Sequence, residues 1–380
     1  MPDVRLFTSE SVSEGHPDKL ADQISDAILD ECLKGDPESR TAIETLLAKG
    51  FALVTGEVRT ECYVEISDVV RDTIQAVGYT DPILGLDGQT CGVLVSIQPQ
   101  SEQISQGVDT GGAGDQGMMF GMACDETPEL MPLPMSIAHA LMRLQADIKR
   151  TKPHLGFRPD AKSQVTVAYE NGRPKFVHTV VCSCQQDPSV KPDEFRERVI
   201  DNIIRPVLQK YADLVDIERD ITFHVNPTGA FSIGGPEADA GLTGRKIMVD
   251  SYGGFCPHGG GAYSGKDPTK VDRSAAYMAR HAAKCIVAAG LARRAQLNLA
   301  YAIGIAEPIQ VTVDTFGTET IPSEEIEARV RAEFPFNPRG IADYLGLRSP
   351  GMKYLPTAKN GHFGNPAFPW ESTEAAGRLK

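Results

Sequence analysis

The stretch Tyr252-Gly253-Gly254-Phe255-Cys256-Pro257-His258-Gly259-Gly260-Gly261-Ala262-Tyr263-Ser264-Gly265-Lys266-Asp267-Pro268-Thr269-Lys270-Val271-Asp272-Arg273 holds six glycines and two prolines. It lies between an apolar run, Ile247 to Tyr252, that predicts a strand, and an Ala-rich helical pattern from Asp272 to Leu291. A loop this rich in Gly lets backbone N–H groups approach a ligand without obstruction from Cβ atoms, and Lys266 and Lys270 add positive charge. By its chemistry it is an anion site; the structural alternative is a plain Gly-rich connector. Gly260 to Lys266 fits the phosphate-loop spacing G-x-x-x-x-G-K, but Asp267 stands where a Ser or Thr hydroxyl should hold Mg²⁺, and Pro268 stands where a helix should begin. The loop is therefore expected to cradle phosphate in another way.

Upstream of the loop, Asp239-Ala240-Gly241-Leu242-Thr243-Gly244-Arg245-Lys246 repeats the theme, with adjacent cations after a Gly-rich turn, and Asn226 to Phe231 closes a further strand. Downstream, strands are expected over Gln296 to Ile303 and Ile309 to Asp314, then a helix near Ser323 to Phe334 and a polar tail. In the middle of the chain, Met135 to Arg150 predicts a helix, and Asn171-Gly172 predicts a hairpin between Gln164 to Tyr169 and Phe176 to Ser183. A helix follows from about Asp193 to Leu208. Lys162 sits at the mouth of the first hairpin strand, where a solvated strand end competes with a ligand contact.

At the N-terminal end, Ser13-Glu14-Gly15-His16-Pro17-Asp18-Lys19 leads into a helix whose apolar positions Leu20, Ile24, Ala27 and Ile28 have helical spacing, and Gly35-Asp36-Pro37 stops it. His16 and Asp18 thus stand at a helix N-terminus, either as a capped start or where a polyanion and its metal could be received. Phe51 to Val58 and Cys62 to Ile66 are expected as strands, Ser67 to Val77 as an amphipathic helix, and Gly92 to Ile97 as a buried strand. Glu57 is then an exposed strand charge or an inward ligand. Gln98 to Gly117 is a polar, Gly-rich segment of a length usually reserved for functional lids or disordered loops, and its end could deliver Asp115 on a close backbone or form a simple turn.

With 380 residues the chain is too long for one ordinary core, and two or three domains are expected. Its 41% hydrophobic and 23% charged residues belong to a globular chain without a bilayer-spanning run, and the N-terminus lacks a signal-peptide pattern, so a cytoplasmic location is expected. The eight cysteines lack paired C-x-x-C spacing, which points to reduced, buried thiols, with Cys182 and Cys184 sharing one strand face. A net charge of −13 argues against a duplex nucleic-acid surface, yet local lysines and bound Mg²⁺ can reverse the sign within one cleft. No internal repeat or low-complexity segment is visible.

Three blocks in the same order, Phe7 to Lys19, Gly112-Ala113-Gly114-Asp115-Gln116-Gly117 and Gly259 to Pro268, resemble the S-adenosylmethionine synthetase (methionine adenosyltransferase) family. Arg158-Pro159-Asp160-Ala161-Lys162-Ser163, Gly241 to Lys246 and Val271-Asp272-Arg273-Ser274 match as well, so the resemblance covers nearly the whole chain. It implies an α+β fold of three similar, interleaved domains with pseudo-threefold symmetry, expected at 1-14 plus 126-234, 15-103 plus 235-273, and 104-125 plus 274-380. It further implies homodimers with shared active sites, often paired into tetramers, and a reaction that joins ATP and L-methionine while cleaving the tripolyphosphate to pyrophosphate and phosphate.

The same resemblance assigns residues. His16 would stabilise the leaving oxygen, and Lys162, Arg245, Lys246 and Lys266 would hold the triphosphate. Asp160, Phe231, Asp239 and Ala262 would complete the ATP shell, with Phe231 stacked on adenine. Glu57, Gln100, Asp115, Asp239 and Lys270 would surround methionine. Asp18 and Asp272 would bind two Mg²⁺ ions per site, and Glu44 one K⁺ per subunit. The Gln100 to Val108 segment would gate the site. Two departures stand out: Ala230 replaces the Arg that the family has before the stacking Phe, and the Asp109 to Gly114 segment is shorter than in many members. On residues alone, two other readings compete, an ATP-dependent phosphotransferase or ligase built on Gly260 to Lys266, and a catalytically silent regulatory subunit.

Overall fold

A computed structural model describes residues 4–100 and 111–380. Three sheets organise it. The first, in the order β1-β8-β9-β10, joins β1 (Val4–Val12) to β8 (Phe157–Glu170), β9 (Arg173–Gln186) and β10 (Thr222–Val225). The second runs β11-β2-β3-β6, from β2 (Arg40–Ala48), β3 (Phe51–Arg59), β6 (Gly92–Pro99) and β11 (Gly241–Leu242). The third, β13-β12-β7, pairs β7 (Gly117–Cys124), β12 (Arg294–Tyr301) and β13 (Gln310–Asp314) in antiparallel fashion. A short ribbon of β4 (Thr80–Asp81) and β5 (Leu86–Asp87) lies beside the second.

Each sheet buries one face against helices, because alternating strand residues leave an apolar face that must be covered. The Leu133–Thr151 helix covers the first through Leu133, Ile137, Leu141 and Met142. Helices α1 (Pro17–Gly35) and α2 (Ile66–Val77) cover the second, with Leu20, Ile24 and Ile28 of α1 packed on Ile43, Leu47 and Val54. The Val271–Ala288 helix covers the third, and its small residues Ala275, Ala279 and Ala282 permit a close approach. The fold is a three-part α+β architecture, as the sequence predicts. The Asn171-Gly172 turn also forms, both residues at positive φ as the tight hairpin requires.

Several expectations are corrected. Ile247 to Tyr252 is no strand: Ile247–Asp250 makes one helical turn, closed by Asp250 N–H donating to Lys246 O at 2.8 Å, because an apolar run this short carries no periodicity to distinguish the two. Cys62 to Glu65 is a bend and coil leading into α2, which begins at Ile66. Gly92 to Ile97 is a strand but lies at a sheet edge, with Leu94 58% exposed. Arg40–Ala48, unanticipated, is a full strand beside β3. The C-terminal segment is no loose polar tail: Trp370 is fully buried and stacks on Tyr277 at 3.6 Å between ring centroids, and Glu371 is buried between Arg280 and Lys284. Seven of the eight cysteines are buried, and Cys182 and Cys184 face each other at 3.6 Å between sulfurs. Among the described residues no helix is long and apolar enough to cross a membrane.

At the far end of α1, Asp30 accepts the N–H groups of Tyr354 (2.7 Å) and Leu355 (3.1 Å), pinning the C-terminal region to the helix. Burial pushes its carboxyl up to about 6, against the pull of those two amides. The folded chain therefore holds this proton more tightly than the unfolded chain does. The stabilisation is complete below the ordinary Asp value of about 3.9 and is lost as pH rises through about 6. Denaturant titrations of wild type and Asp30→Asn should show this: the wild type's advantage over the variant shrinks on going from mildly acidic to mildly alkaline buffer. An unchanged difference would contradict it.

Candidate active site

The first group of site residues forms where α1 begins. β1 pairs with β8 along its whole length, ending with Val12 opposite Lys162, and Ser13 then binds the next strand segment, its Oγ donating to Pro159 O at 2.7 Å and accepting from Ala161 N–H at 2.9 Å. The chain is thus laid beside Asp160 and Lys162 just before it turns into α1. His16 caps the helix, its Nδ1 accepting Asp18 N–H at 3.2 Å, so in the neutral ring the proton resides on Nε2. Burial, followed by the charges of Lys246 and Lys162, pushes His16 down to about 3 and keeps it neutral at physiological pH. Asp18 accepts Leu242 N–H at 2.9 Å and Lys246 Nζ at 2.6 Å. Burial raises its carboxyl, but these bonds outweigh burial and hold it below the usual range.

Asp160 completes this group. Its Oδ2 accepts Gly235 N–H at 2.9 Å while Oδ1 is buried without a hydrogen-bond partner, and burial pushes the carboxyl up to about 6. Arg245 and Asp239 are exposed nearby in sequence, and Phe231, partly buried, is held through its carbonyl, which accepts Gln186 N–H at 2.8 Å. Ala230 is exposed.

The second group hangs from the Gly-rich loop. Residues 265–267 run antiparallel beside β2: Ile43 N–H donates to Gly265 O at 3.0 Å, and Ala42 pairs with Lys266. Asp267, the residue that breaks the phosphate-loop pattern, is fully buried and accepts Thr41 N–H at 2.9 Å and Lys270 Nζ at 2.7 Å. It fastens the loop to the second sheet instead of holding a metal. Lys266 donates to Asp272 at 2.6 Å. One register row runs from Lys266 through Ala42 and Glu57 to Gln98, so Glu57 and Lys266 share the sheet face away from α1, with Glu44 one pair along on β2. Glu44 is exposed and Glu57 half-buried. Gln100 leaves β6 with its Oε1 buried and without a hydrogen-bond partner.

Ala262 packs against Gly244, so the loop meets the Leu242 to Lys246 turn there. Asp115 is exposed and accepts Gln116 N–H at 2.7 Å, beyond Ala113, whose backbone is bonded to Gly304 and Ile305. Residues 101–110, which hold most of the expected gating segment and the start of the shortened one, lie outside the described residues.

One set of residues was not anticipated. Asp22 and Asp26, one and two turns beyond Asp18 on α1, are fully buried. Asp22 accepts Gly244 N–H at 2.8 Å and pairs with Lys19 at 3.0 Å, and Lys19 also pairs with Asp250. Asp26 accepts Gly265 N–H at 2.8 Å and a two-pronged contact from Arg273 at 2.6 and 2.8 Å. The signal was present as aspartate at every fourth residue from 18 to 30.

One group gathers lysines beside a buried imidazole and the other sets Lys266, Lys270 and Asp272 on a glycine-rich wall, the chemistry of a class of proteins that bind polyanions. Comparison with known sequences narrows this class. The S-adenosylmethionine synthetase N-terminal, central and C-terminal domain descriptions match residues 4–102, 110–231 and 233–372. S-adenosylmethionine synthase of Myxococcus xanthus (strain DK1622) is 55% identical over 379 residues, covering 98% of this chain and 94% of that protein. The synthases of Desulfosudis oleivorans and Treponema denticola are each 52% identical, covering 99% and 100% of this chain and 97% and 98% of theirs. The chain belongs to the S-adenosylmethionine synthetase family.

The Gly-rich wall tolerates substitution unevenly. Gly265 has φ +81° and its Cβ would lie 2.0 Å from Ile43 O, whereas Gly260 has φ +94° with nothing within 4 Å. Gly260→Ala should cost only the positive-φ penalty, about 1–2 kcal/mol, while Gly265→Ala must also part the loop from β2 and should cost clearly more. Chemical denaturation of both variants checks this, and equal losses would contradict the packing described for the loop.

Proposed function

We propose that this chain makes S-adenosylmethionine from ATP and L-methionine by attack of the thioether sulfur on C5′, and hydrolyses the tripolyphosphate to pyrophosphate and phosphate. The observation that carries this reading is the buried His16 ring 4.0 Å from the Asp18 carboxylate that holds Lys246 at 2.6 Å, on the turn that follows Val12 opposite Lys162. A thioether sulfur has no proton to lose, so its attack needs no general base. The reaction requires alignment of sulfur with C5′ and stabilisation of a highly charged leaving group. One cation about 4 Å from one phosphate charge contributes roughly 4 kcal/mol at an effective dielectric of 20. Lys162, Arg245, Lys246 and Lys266 would supply such contacts, and His16 would donate its Nε2–H to the oxygen that gains charge. A neutral imidazole serves as such a donor without itself being drawn off by a carboxylate.

Phe231 would stack on adenine, and Asp160 Oδ1, buried and without a partner, would accept from the nucleotide, with Asp239 and Ala262 beside it. Glu57, Gln100, Asp115 and Lys270 would surround methionine; the unpartnered Gln100 Oε1 supports this. With Ala230 in place of arginine, one cationic contact to the nucleotide is missing.

Asp18 and Asp272 fit Mg²⁺ as hard oxygen donors, each already engaged by a lysine in the free chain. Among the described residues no three His, Cys, Asp or Glu side chains cluster to hold a metal, which suits an ion that takes its other ligands from phosphate and water. When bound, such ions neutralise triphosphate charge. Glu44, beside Glu57 on the same sheet face, would hold K⁺.

The chain is proposed to act as a homodimer with shared sites, paired into a homotetramer. Support comes from Leu6, Leu94 and Met118, 54, 58 and 57% exposed on strands of the three different sheets. The three interleaved units proposed above, 1-14 plus 126-234, 15-103 plus 235-273 and 104-125 plus 274-380, are supported by strand membership, though the Val271–Ala288 helix straddles residue 273.

Incubating the protein with ATP, methionine, Mg²⁺ and K⁺ should yield the sulfonium product by mass, with phosphate and pyrophosphate; ADP or AMP as the nucleotide product would instead favour a kinase or ligase. Lys266→Ala should lower turnover by about two orders of magnitude or more with unchanged circular dichroism. His16→Ala should lose sulfonium formation ahead of tripolyphosphate hydrolysis.

A further inference from the structure

Asp18, Asp22, Asp26 and Asp30 recur every fourth residue of α1 and so form one row along it, opposite the apolar row of Leu20, Ile24 and Ile28. Like charges at this spacing repel one another and weaken an isolated helix. The row therefore depends on donors from outside α1.

Two of the four share a device. Asp22 takes Gly244 N–H and Asp26 takes Gly265 N–H, both at 2.8 Å. Both glycines are at positive φ, +78° and +81°, in contacts that leave no room for a Cβ: Ala262 Cβ would be 2.4 Å away from one and Ile43 O 2.0 Å from the other. A site lysine follows each, in Gly244-Arg245-Lys246 and Gly265-Lys266. The Arg245-Lys246 segment is held from both sides, since Lys19 pairs with Asp22 at 3.0 Å and with Asp250 at 2.5 Å, all three buried. Thr243 adds a third tie, its Oγ1 lying 2.8 Å from Ser25 Oγ on α1. With a rise of 1.5 Å per residue, the two aspartates stand about 6 Å apart along the helix axis.

We infer that Asp22 and Asp26 are positioning residues for the triphosphate lysines: α1 serves as a rule that sets the height of Lys246 and of Lys266 through the amides that precede them. The inference rests on the proposed triphosphate role of those lysines. Asp26 also carries the buried Arg273, so its loss would strand a guanidinium, and Asp22 is the cleaner test. Asp30 is a built-in control, because it accepts two backbone amides on the same helix but from Tyr354 and Leu355, away from the lysines.

The experiment is calorimetric titration of inorganic tripolyphosphate with Mg²⁺ into the full chain, as wild type, Asp22→Ala, Asp22→Asn and Asp30→Ala, with the KM for ATP measured in parallel. A hydrogen bond to a charged acceptor sets the scale, so Asp22→Ala should weaken tripolyphosphate binding roughly tenfold to a hundredfold and raise KM for ATP. Asp22→Asn keeps an oxygen for Gly244 N–H and should restore most of the affinity. Asp30→Ala should lower the melting temperature while binding like wild type. Should Asp22→Ala not fold, Asp22→Ser, whose shorter side chain cannot span to Gly244, takes its place with the same expectation. Wild-type affinity in the Asp22 variant, or an equal loss in Asp30→Ala, overturns the inference alone. A wild type that does not bind tripolyphosphate overturns the reading of the site and the inference with it.

Discussion

Asp26 and Arg273 are 0% and 1% exposed and meet through two short hydrogen bonds deep between α1 and the Val271–Ala288 helix. A charge pair at such depth stabilises only when its remaining valences are satisfied, because removing two ions from water costs several kcal/mol per ion. Here they are: Asp26 also takes Gly265 N–H, and Arg273 reaches Thr357 Oγ1 at 3.0 Å, Lys266 O at 3.2 Å and, through Nε, Tyr277 OH at 2.9 Å. The pair thus joins the helix that covers the second sheet to the helix that covers the third, and it fixes the Gly-rich loop and the C-terminal region at the same point. Removing one partner alone would leave a buried charge uncompensated, at a cost of about 3–5 kcal/mol. The placement of the Gly-rich loop against α1 runs through it.

Around that centre the acidic chain, with its net charge of −13, gathers lysines on the walls of the proposed site. Three of these lysines are paired with carboxylates on their own wall: Lys246 with Asp18, Lys266 with Asp272, Lys270 with Asp267. In the free chain these walls are close to neutral, which spares them the repulsion of clustered cations. His16 stays neutral for the same reason, since burial and the two lysines beside it, Lys246 and Lys162, disfavour a third positive charge.

Much of this was legible in the residues. Helix α1 was marked by Pro17 at its start and Gly35 at its end, and the hairpin at Asn171-Gly172 by turn chemistry, because these signals are local. The short apolar run at Ile247 to Tyr252 misled, since helix and strand bury such a run equally well, and the edge position of β6 depends on distant partners that no local pattern encodes. Asp267 appeared first as a flaw in a phosphate loop, and only the contact with Thr41 shows it to be an anchor. Asp22 and Asp26 were visible as a spacing but not as a function, because an aspartate on a helix is ordinarily solvated, and the backbone amides they bind lie more than 220 residues away.

That separation bears on how the molecule is made. Helix α1 emerges early in synthesis, but the amides and cations that neutralise its aspartates arrive with Leu242, Gly244, Gly265, Arg273 and finally Tyr354. Until then the row of four carboxylates has only Lys19, beside Asp22, as a partner within α1, and the helix lacks its final neighbours. Two of the three sheets wait likewise, β1 for β8 and β7 for β12. Residues of α1 thus reach their native surroundings long after they are made, and contacts of such long sequence separation slow folding.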